Sequence, residues 1–167
     1  KLVVPSAEGM VGIIYQVAVS MPPADPQLTW LSAICPPALV AITNCWILFP
    51  LATGKLLILD PFCALEDFDL EFMRYRPNLC PFIPLLFQAL MDSKRIPEDY
   101  SMEFLLQAGV GADPMNNKQI RRAQEFLAKH KSPAIFNVAY GQSEGGSGFT
   151  SPCPLFPVTD GCCGIPM

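Results

Sequence analysis

Charge is scarce in this chain. Only 16% of its 167 residues are Asp, Glu, Lys or Arg, the net charge is −4, and no basic run occurs. That balance argues against a nucleic-acid groove. There is one histidine, His130, and no C-x-x-C among the seven cysteines (35, 45, 63, 80, 153, 162 and 163). A Cys/His zinc site is therefore not expected. The cysteine number is odd, and the adjacent pair Cys162-Cys163 has poor geometry for a structural disulfide. Scattered cysteines in a domain of this size read as reduced, buried thiols of a cytoplasmic protein. No G-x-x-x-x-G-K-[ST] phosphate loop is present. The start, Lys1-Leu2-Val3-Val4-Pro5, has neither a basic n-region nor a small-residue cleavage site, so no signal peptide is expected. The missing initiator Met leads us to expect a fragment.

What is present is apolar. Hydrophobic residues make up 51% of the chain, too many for a disordered tail. The length suits one domain with a sizeable core. A low charge fraction also leaves apolar surface that could meet something outside the chain. The stretch Leu31 to Leu51 is nearly free of charge and long enough to span a membrane. Pro36-Pro37 and Pro50 interrupt it, however, and no basic cluster flanks it. It reads better as a buried strand (30–35), a turn and a buried helix (38–49). No transmembrane segment is expected.

The order of elements points to a fold class. A helix is expected over 6–18, capped by Ser6 with Glu8 in its first turn. A strand (55–59) follows the buried helix. The spacing of Leu65, Phe68, Phe72 and Tyr75 among acidic residues predicts an amphipathic helix. Strand 78–83, a helix opening at Pro84, a polar loop (93–101) and strand 104–108 come next. Asp113-Pro114 looks like an N-cap with Pro in the first helical turn, and Ile120, Ala123 and Leu127 form that helix's inner stripe. Strand 134–140 is the last clear element. Strands and helices alternate throughout, which predicts an α/β fold: an open, mostly parallel sheet with helices on both faces.

Ligands of such sheets bind outside the carboxyl ends of the strands. Two glycine-rich stretches are expected there, Gly109-Val110-Gly111-Ala112-Asp113-Pro114 and Tyr140-Gly141-Gln142-Ser143-Glu144-Gly145-Gly146-Ser147-Gly148. The first fails the dinucleotide pattern G-x-G-x-x-G at Pro114. The second contains Gly141-Gln142-Ser143-Glu144-Gly145, literally the G-x-S-x-G of a hydrolase nucleophile elbow. His130 precedes that serine, though, where the hydrolase order places it after, and glycines follow instead of a helix. A third reading is a nucleotide site. Tyr140 offers a ring for a base to stack on. Ser143 and Glu144 can reach a phosphate and its Mg²⁺. Backbone N–H groups at Gly111 to Asp113, ahead of a helix, can meet polar ligand atoms. Tight turns that simply need glycine remain the plain alternative.

At these residues the sequence resembles the adenylate-forming superfamily of acyl-CoA synthetases, luciferases and peptide-synthetase adenylation domains. Tyr140-Gly141-Gln142-Ser143-Glu144 is similar to the family's Y-G-x-T-E. Val110-Gly111-Ala112 resembles the upstream G-G-A, and Gly161-Cys162-Cys163-Gly164-Ile165-Pro166 the G-x-x-G-x-P that follows. Cys35-Pro36-Pro37-Ala38-Leu39-Val40 with Phe49-Pro50-Leu51-Ala52-Thr53-Gly54 resembles the l-P-x-x-H…P-L-x-x-G stretch without its histidine. Lys1 matches the last residue of the family's phosphate loop. The resemblance covers nearly the whole chain, 1–167, which would be part of the AMP-binding domain and about a third of a family member.

The resemblance implies a role for each matched residue. Tyr140 would stack on adenine, with Gly141 and Gln142 beside it. Ser143, where the family usually has Thr, would hydrogen-bond the α-phosphate, and Glu144 would bind Mg²⁺. Gly111, Ala112 and Asp113 would line the nucleotide, Gly109, Val110, Gly111 and Gly145 the acyl group, and Lys1 would face the triphosphate. Val110 departs from the family's Gly, and its side chain is expected to narrow an acyl channel or shift the backbone. The implied partners are ATP, Mg²⁺, CoA and a carboxylic acid, a fatty acid among the candidates, in a ligase of fatty-acid metabolism type. Most of the phosphate loop, the ribose-binding region, the hinge and the C-terminal domain are not among these residues. The fragment is therefore expected to be inactive alone, and to self-associate through an apolar face left exposed. A noncatalytic nucleotide- or acyl-binding module stays open beside the ligase and the hydrolase.

Overall fold

The structure, a computed structural model, describes residues 3–20, 27–33, 43–148, 150–151 and 162–166. Helix α1, Ala7–Ser20, starts where Ser6 predicts: its Oγ accepts from Gly9 N at 3.0 Å. Strand β1, Thr29–Ala33, is followed by a π-helical turn, Thr43–Leu48, that runs straight into α2, Phe49–Ala52. Pro50 is accommodated because it falls in the first turn of α2, where its missing N–H is not needed. Residues 34–42, with the Pro36-Pro37 pair, lie outside the described residues.

Strand β2 is Leu56–Asp60. A 3₁₀ turn, Leu65–Asp67, leads into α3, Phe68–Tyr75. Strand β3, Leu79–Phe82, and helix α4, Pro84–Asp92, follow closely on the sequence reading. Strand β4, Gln107–Val110, helix α5, Asn117–Lys129, and strand β5, Ile135–Val138, complete the main sheet. Two short antiparallel ribbons follow. Strand β6, Gly141–Gln142, pairs with β7, Ser147–Gly148, and β8, Thr150–Ser151, pairs with β9, Ile165–Pro166.

The main sheet is parallel throughout, in the order β2-β1-β3-β4-β5. The chain steps outward from β1 to β2, then returns past β1 to β3 and continues to β5. With right-handed crossovers, that reversal puts α2 on one face and α3, α4 and α5 on the other. The cores agree. Leu31, Cys80, Phe82, Ala108, Val110 and Phe136 pack with Phe68, Phe72, Phe87, Ala123 and Leu127. The alternate residues Trp30 and Leu79 pack with Val17 of α1 and Phe49 of α2. The expected α/β sheet, covered by helices on both faces, is thus what the chain forms.

Among the boundaries that differ from expectation, two bear on the glycine stretches. The fourth strand begins at Gln107, not Phe104. Asn78 holds the approach: its Nδ2 donates to Phe104 O at 2.9 Å, and its own carbonyl accepts from Leu106 N at 2.8 Å. The helix after it is capped by Asn116, not Asp113. Asn116 Oδ1 accepts from Gln119 N at 3.0 Å and Gln119 Oε1 accepts from Asn116 N at 2.9 Å. This reciprocal box satisfies two donors where an Asp113 cap would satisfy one. The cysteines also differ from the uniformly buried expectation. Of the described ones, Cys80 is buried, Cys45, Cys63 and Cys163 are half-buried and Cys162 is exposed; all five are free thiols. Among the described residues no helix is long and apolar enough to cross a membrane.

Candidate functional site

The glycine stretches leave two neighbouring strands at the same end of the sheet. The register sets Gly109 opposite Asn137 and Val110 opposite Val138. Just past those pairs Gly111 N donates to Phe82 O at 3.1 Å, and Ala139 N donates to Val110 O at 2.8 Å. A Cβ on Gly111 would lie 3.7 Å from Ala139 O, so the two exits run side by side.

Because β4 extends to Val110, Gly109 and Val110 are strand residues rather than loop residues. Val110 is buried, 1% exposed, and faces the α3–α5 core with Phe82 and Ala108. Gly109 faces the other side of the sheet: a Cβ there would meet the Asn137 amide at 3.7 Å. Gly111 is half-buried, and Ala112 and Asp113 are exposed. Ala112 has φ +78°, a left-handed backbone on a residue other than glycine. Such conformations are uncommon and concentrate at functional sites. The helix N-terminus expected directly after Asp113 stands further along, at Asn116.

Tyr140 is 48% exposed, its ring outside the interior. Its backbone is held on both sides by Thr150. Tyr140 N donates to Thr150 Oγ1 at 3.0 Å, and Thr150 N donates to Tyr140 O at 3.3 Å. Gln142 Nε2 donates to the phenol oxygen at 2.5 Å, orienting the ring. Gly141 and Gln142 are exposed members of β6. Ser143, Glu144 and Gly145 form a 3₁₀ turn, closed where Gly146 N donates to Ser143 O at 3.0 Å. Glu144 is exposed, while Ser143 and Gly145 are half-buried.

Thr150 also brings in the third motif. Its Oγ1 donates to Cys163 O at 2.5 Å, and β8 and β9 pair Thr150 with Pro166. The described part of the last motif, Cys162 to Pro166, is thereby joined to the strand exit bearing Tyr140. Gly161 and Lys1 lie outside the described residues. Sequence reading missed the roles of Thr150, Asn137 and the strained Ala112. Thr150 lies between motifs, Asn137 is marked only by register, and a backbone angle leaves no mark in composition.

The hydrolase arrangement is not what these residues form. His130, the chain's one histidine, caps the C-terminal end of α5, before β5 begins, whereas Ser143 follows the far end of β5. His130 Nδ1 is 2.8 Å from Tyr100 O, and its ring packs on Phe126 at 4.6 Å. It is a buried structural residue at the opposite end of the sheet. Ser143 also enters a 3₁₀ turn, not the helix that a nucleophile elbow requires.

Among the described residues no three His, Cys, Asp or Glu side chains cluster as a metal cage. A single exposed carboxylate at Glu144, with a hydroxyl beside it, has the donor chemistry for a Mg²⁺ that arrives on nucleotide phosphates, since Mg²⁺ commonly takes one or two carboxylates plus phosphate oxygens.

No curated protein matches the sequence. Solved structures do match in fold. A long-chain-fatty-acid-CoA ligase from Archaeoglobus fulgidus superposes with a TM-score of 0.77 at 17% identity, over 95% of this chain and 32% of that one. O-succinylbenzoate coenzyme A synthetase from Bacillus subtilis, in complex with ATP and magnesium ion, gives 0.72 at 16% identity, over 97% and 32%. A benzoate CoA ligase from Burkholderia xenovorans gives 0.70 at 15% identity, over 93% and 31%. The chain thus spans about a third of the length of these structures. The family model for AMP-binding enzymes matches residues 1–167. With its parallel sheet and with both glycine stretches leaving one sheet end, the chain belongs to the AMP-binding enzyme family.

Proposed function

We propose that this chain is the central α/β part of an ATP-dependent acid–thiol ligase. Such a ligase activates a carboxylic acid as its acyl-adenylate and passes the acyl group to CoA. One observation carries the reading: the Gly111–Ala112 turn and the Tyr140–Glu144 segment leave adjacent strands side by side, with the Tyr140 ring exposed. The ring is available for adenine, and the serine and carboxylate follow three and four residues later.

In the first step a carboxylate oxygen of the acid attacks the α-phosphorus of ATP. The bond to the bridging oxygen breaks and pyrophosphate leaves with its electron pair. In the second, the CoA thiol, losing its proton, attacks the acyl carbon and AMP leaves. Tyr140 stacks on the base, with Gly141 and Gln142 setting its pose. Ser143 hydrogen-bonds the α-phosphate, and Glu144 holds Mg²⁺, which when bound offsets charge on the phosphates. Gly111, Ala112 and Asp113 line the nucleotide, Gly109 and Gly145 border the acyl group, and Lys1, outside the described residues, would face the triphosphate. Val110 contributes backbone only. Ligases acting on fatty and aromatic acids share the fold, so the acid is named here by its carboxylate alone. The remaining parts of the family's catalytic assembly lie in other subdomains of the parent protein, which is cytoplasmic in this reading.

Carboxylic-acid-dependent pyrophosphate release by the full-length protein tests this reading. Glu144→Gln should lower kcat by on the order of 10²-fold, the usual cost of removing one transition-state charge stabiliser. Ser143→Ala should retain partial activity. Ester cleavage abolished by Ser143→Ala with Glu144→Gln unaffected would return the hydrolase. Binding of ATP without turnover of any acid would leave a noncatalytic module.

A further inference from the structure

Gly146 closes the turn that carries Ser143 and Glu144, and two side chains meet it. Its backbone is left-handed, with φ +85°, and a Cβ there would lie 3.0 Å from Ile13 Cγ1 of α1. Beside Ile13, Asn44 donates its Nδ2 to Gly146 O at 2.7 Å, and that nitrogen lies 3.8 Å from the same Cβ position. Asn44 is 102 residues away in sequence and 0% exposed. It lies in the π-helical turn ahead of α2, a conformation that is rare and often found at functional sites. Its Oδ1 is buried with no hydrogen-bond partner among the described residues. A buried amide oxygen left unpaired is unfavourable, and an apolar side chain would fill the space without that cost. The amide N–H is what Asn44 supplies that an apolar residue could not.

The base of the turn is fixed by the pairing of Gln142 with Ser147 and Gly141 with Gly148. Its tip reaches past the sheet end toward α1 and the π-turn, and meets Asn44 there. We infer that Asn44 is a positioning residue for the ligase reaction. Its amide anchors Gly146 and so sets where Ser143 and Glu144 stand relative to the Gly111–Ala112 turn. This rests on the reading of Ser143 and Glu144 given above. Asn44 touches no reacting atom; it acts through the turn.

The test uses the full-length protein with ATP and whichever carboxylic acid gives most pyrophosphate in a screen. Asn44→Ala should lower kcat about 10- to 100-fold, as loss of an outer-shell partner does. It should also raise the Mg²⁺ concentration needed for half-maximal rate, while KM for the acid changes less than about threefold. Gly146→Ala, which displaces the same turn from the α1 side, should shift the Mg²⁺ dependence likewise; it serves alone if Asn44→Ala fails to fold. A purely structural Asn44 would lower the thermal midpoint but leave the Mg²⁺ dependence of the folded enzyme unchanged, and that result overturns the proposal. Wild-type Mg²⁺ dependence in Gly146→Ala overturns it too. If Glu144→Gln is impaired and Asn44→Ala is not, the positioning role alone falls. If Glu144→Gln itself keeps wild-type Mg²⁺ dependence, the site reading falls and takes this inference with it.

Discussion

Tyr140 is half exposed at a strand exit, while Phe87, Phe126 and Phe136, on or beside β5 and its covering helices, are buried or half-buried. In the function proposed above, a base would cover this half-exposed ring, which Gln142 orients. Stacking of a base on an aromatic side chain is worth about 1–3 kcal/mol by alanine substitution. Tyr140→Ala should therefore weaken ATP binding roughly 5- to 150-fold, while Tyr140→Phe keeps most of it; titration of the full-length protein with ATP would measure both. The tyrosine was legible in the sequence because it heads a motif. Its partner Thr150, ten residues on, was not, because a side-chain oxygen that both accepts from Tyr140 N and donates to Cys163 O is defined only once three segments meet.

At the scale of elements, helix α3 and the turn before it are fastened to the loop after α4 by Arg95, which pairs with Asp67 and Asp69. Asp69 is 4% exposed. Its Oδ2 accepts from Arg95 Nε at 2.9 Å and from Ser93 Oγ, and its Oδ1 accepts from Arg95 Nη2 and from Leu70 N at 2.9 Å. Burial by itself would raise the carboxyl pKa. The hydrogen bonds from Arg95 and Ser93 and the arginine's charge outweigh it, and hold the group below its ordinary value. A carboxyl depressed in the folded state stabilises it above the ordinary value, near pH 4, and that contribution is lost as pH falls through the folded value. The thermal midpoints of wild type and Arg95→Ala should thus differ most at neutral pH and converge below about pH 4. Melting curves across pH 2.5–7 check it, and an equal gap at every pH would show that Arg95 acts otherwise. The amphipathic helix that includes α3 was plain from the spacing of its apolar residues. The choice of Asn116 over Asp113 as the next helix's cap was not, because it rests on the reciprocal Asn116–Gln119 hydrogen bonds, which exist only once that helix has formed.

At the scale of the whole molecule, Phe87 joins the α3–α5 face. Its ring lies 4.9 Å from Phe82 and from Phe136 and 6.1 Å from Phe126, in a residue with no exposed surface. Phe87→Ala should destabilise the chain by about 3–5 kcal/mol, read as a fall in the urea midpoint. The opposite margin is different. On edge strand β2 and its flanks Leu51, Leu56, Leu59 and Phe62 are exposed, Phe62 to 94%. We propose that this apolar edge self-associates when the chain is alone. Size exclusion at two concentrations should show a concentration-dependent shift, removed by Leu56→Lys with Phe62→Ser; a monomer at both concentrations counts against it. The fold class and the place of the two glycine-rich stretches at strand ends were determined by the sequence alone. Strand–helix alternation, apolar periodicity and glycine placement are local signals, set by backbone sterics and by which side chains avoid water. Tertiary structure decided which face Val110 takes, where β4 and α5 begin, and how Asn44 meets Gly146 across 102 residues. Those outcomes depend on registers and contacts between distant segments, and a linear chain carries no mark of them until the sheet has formed.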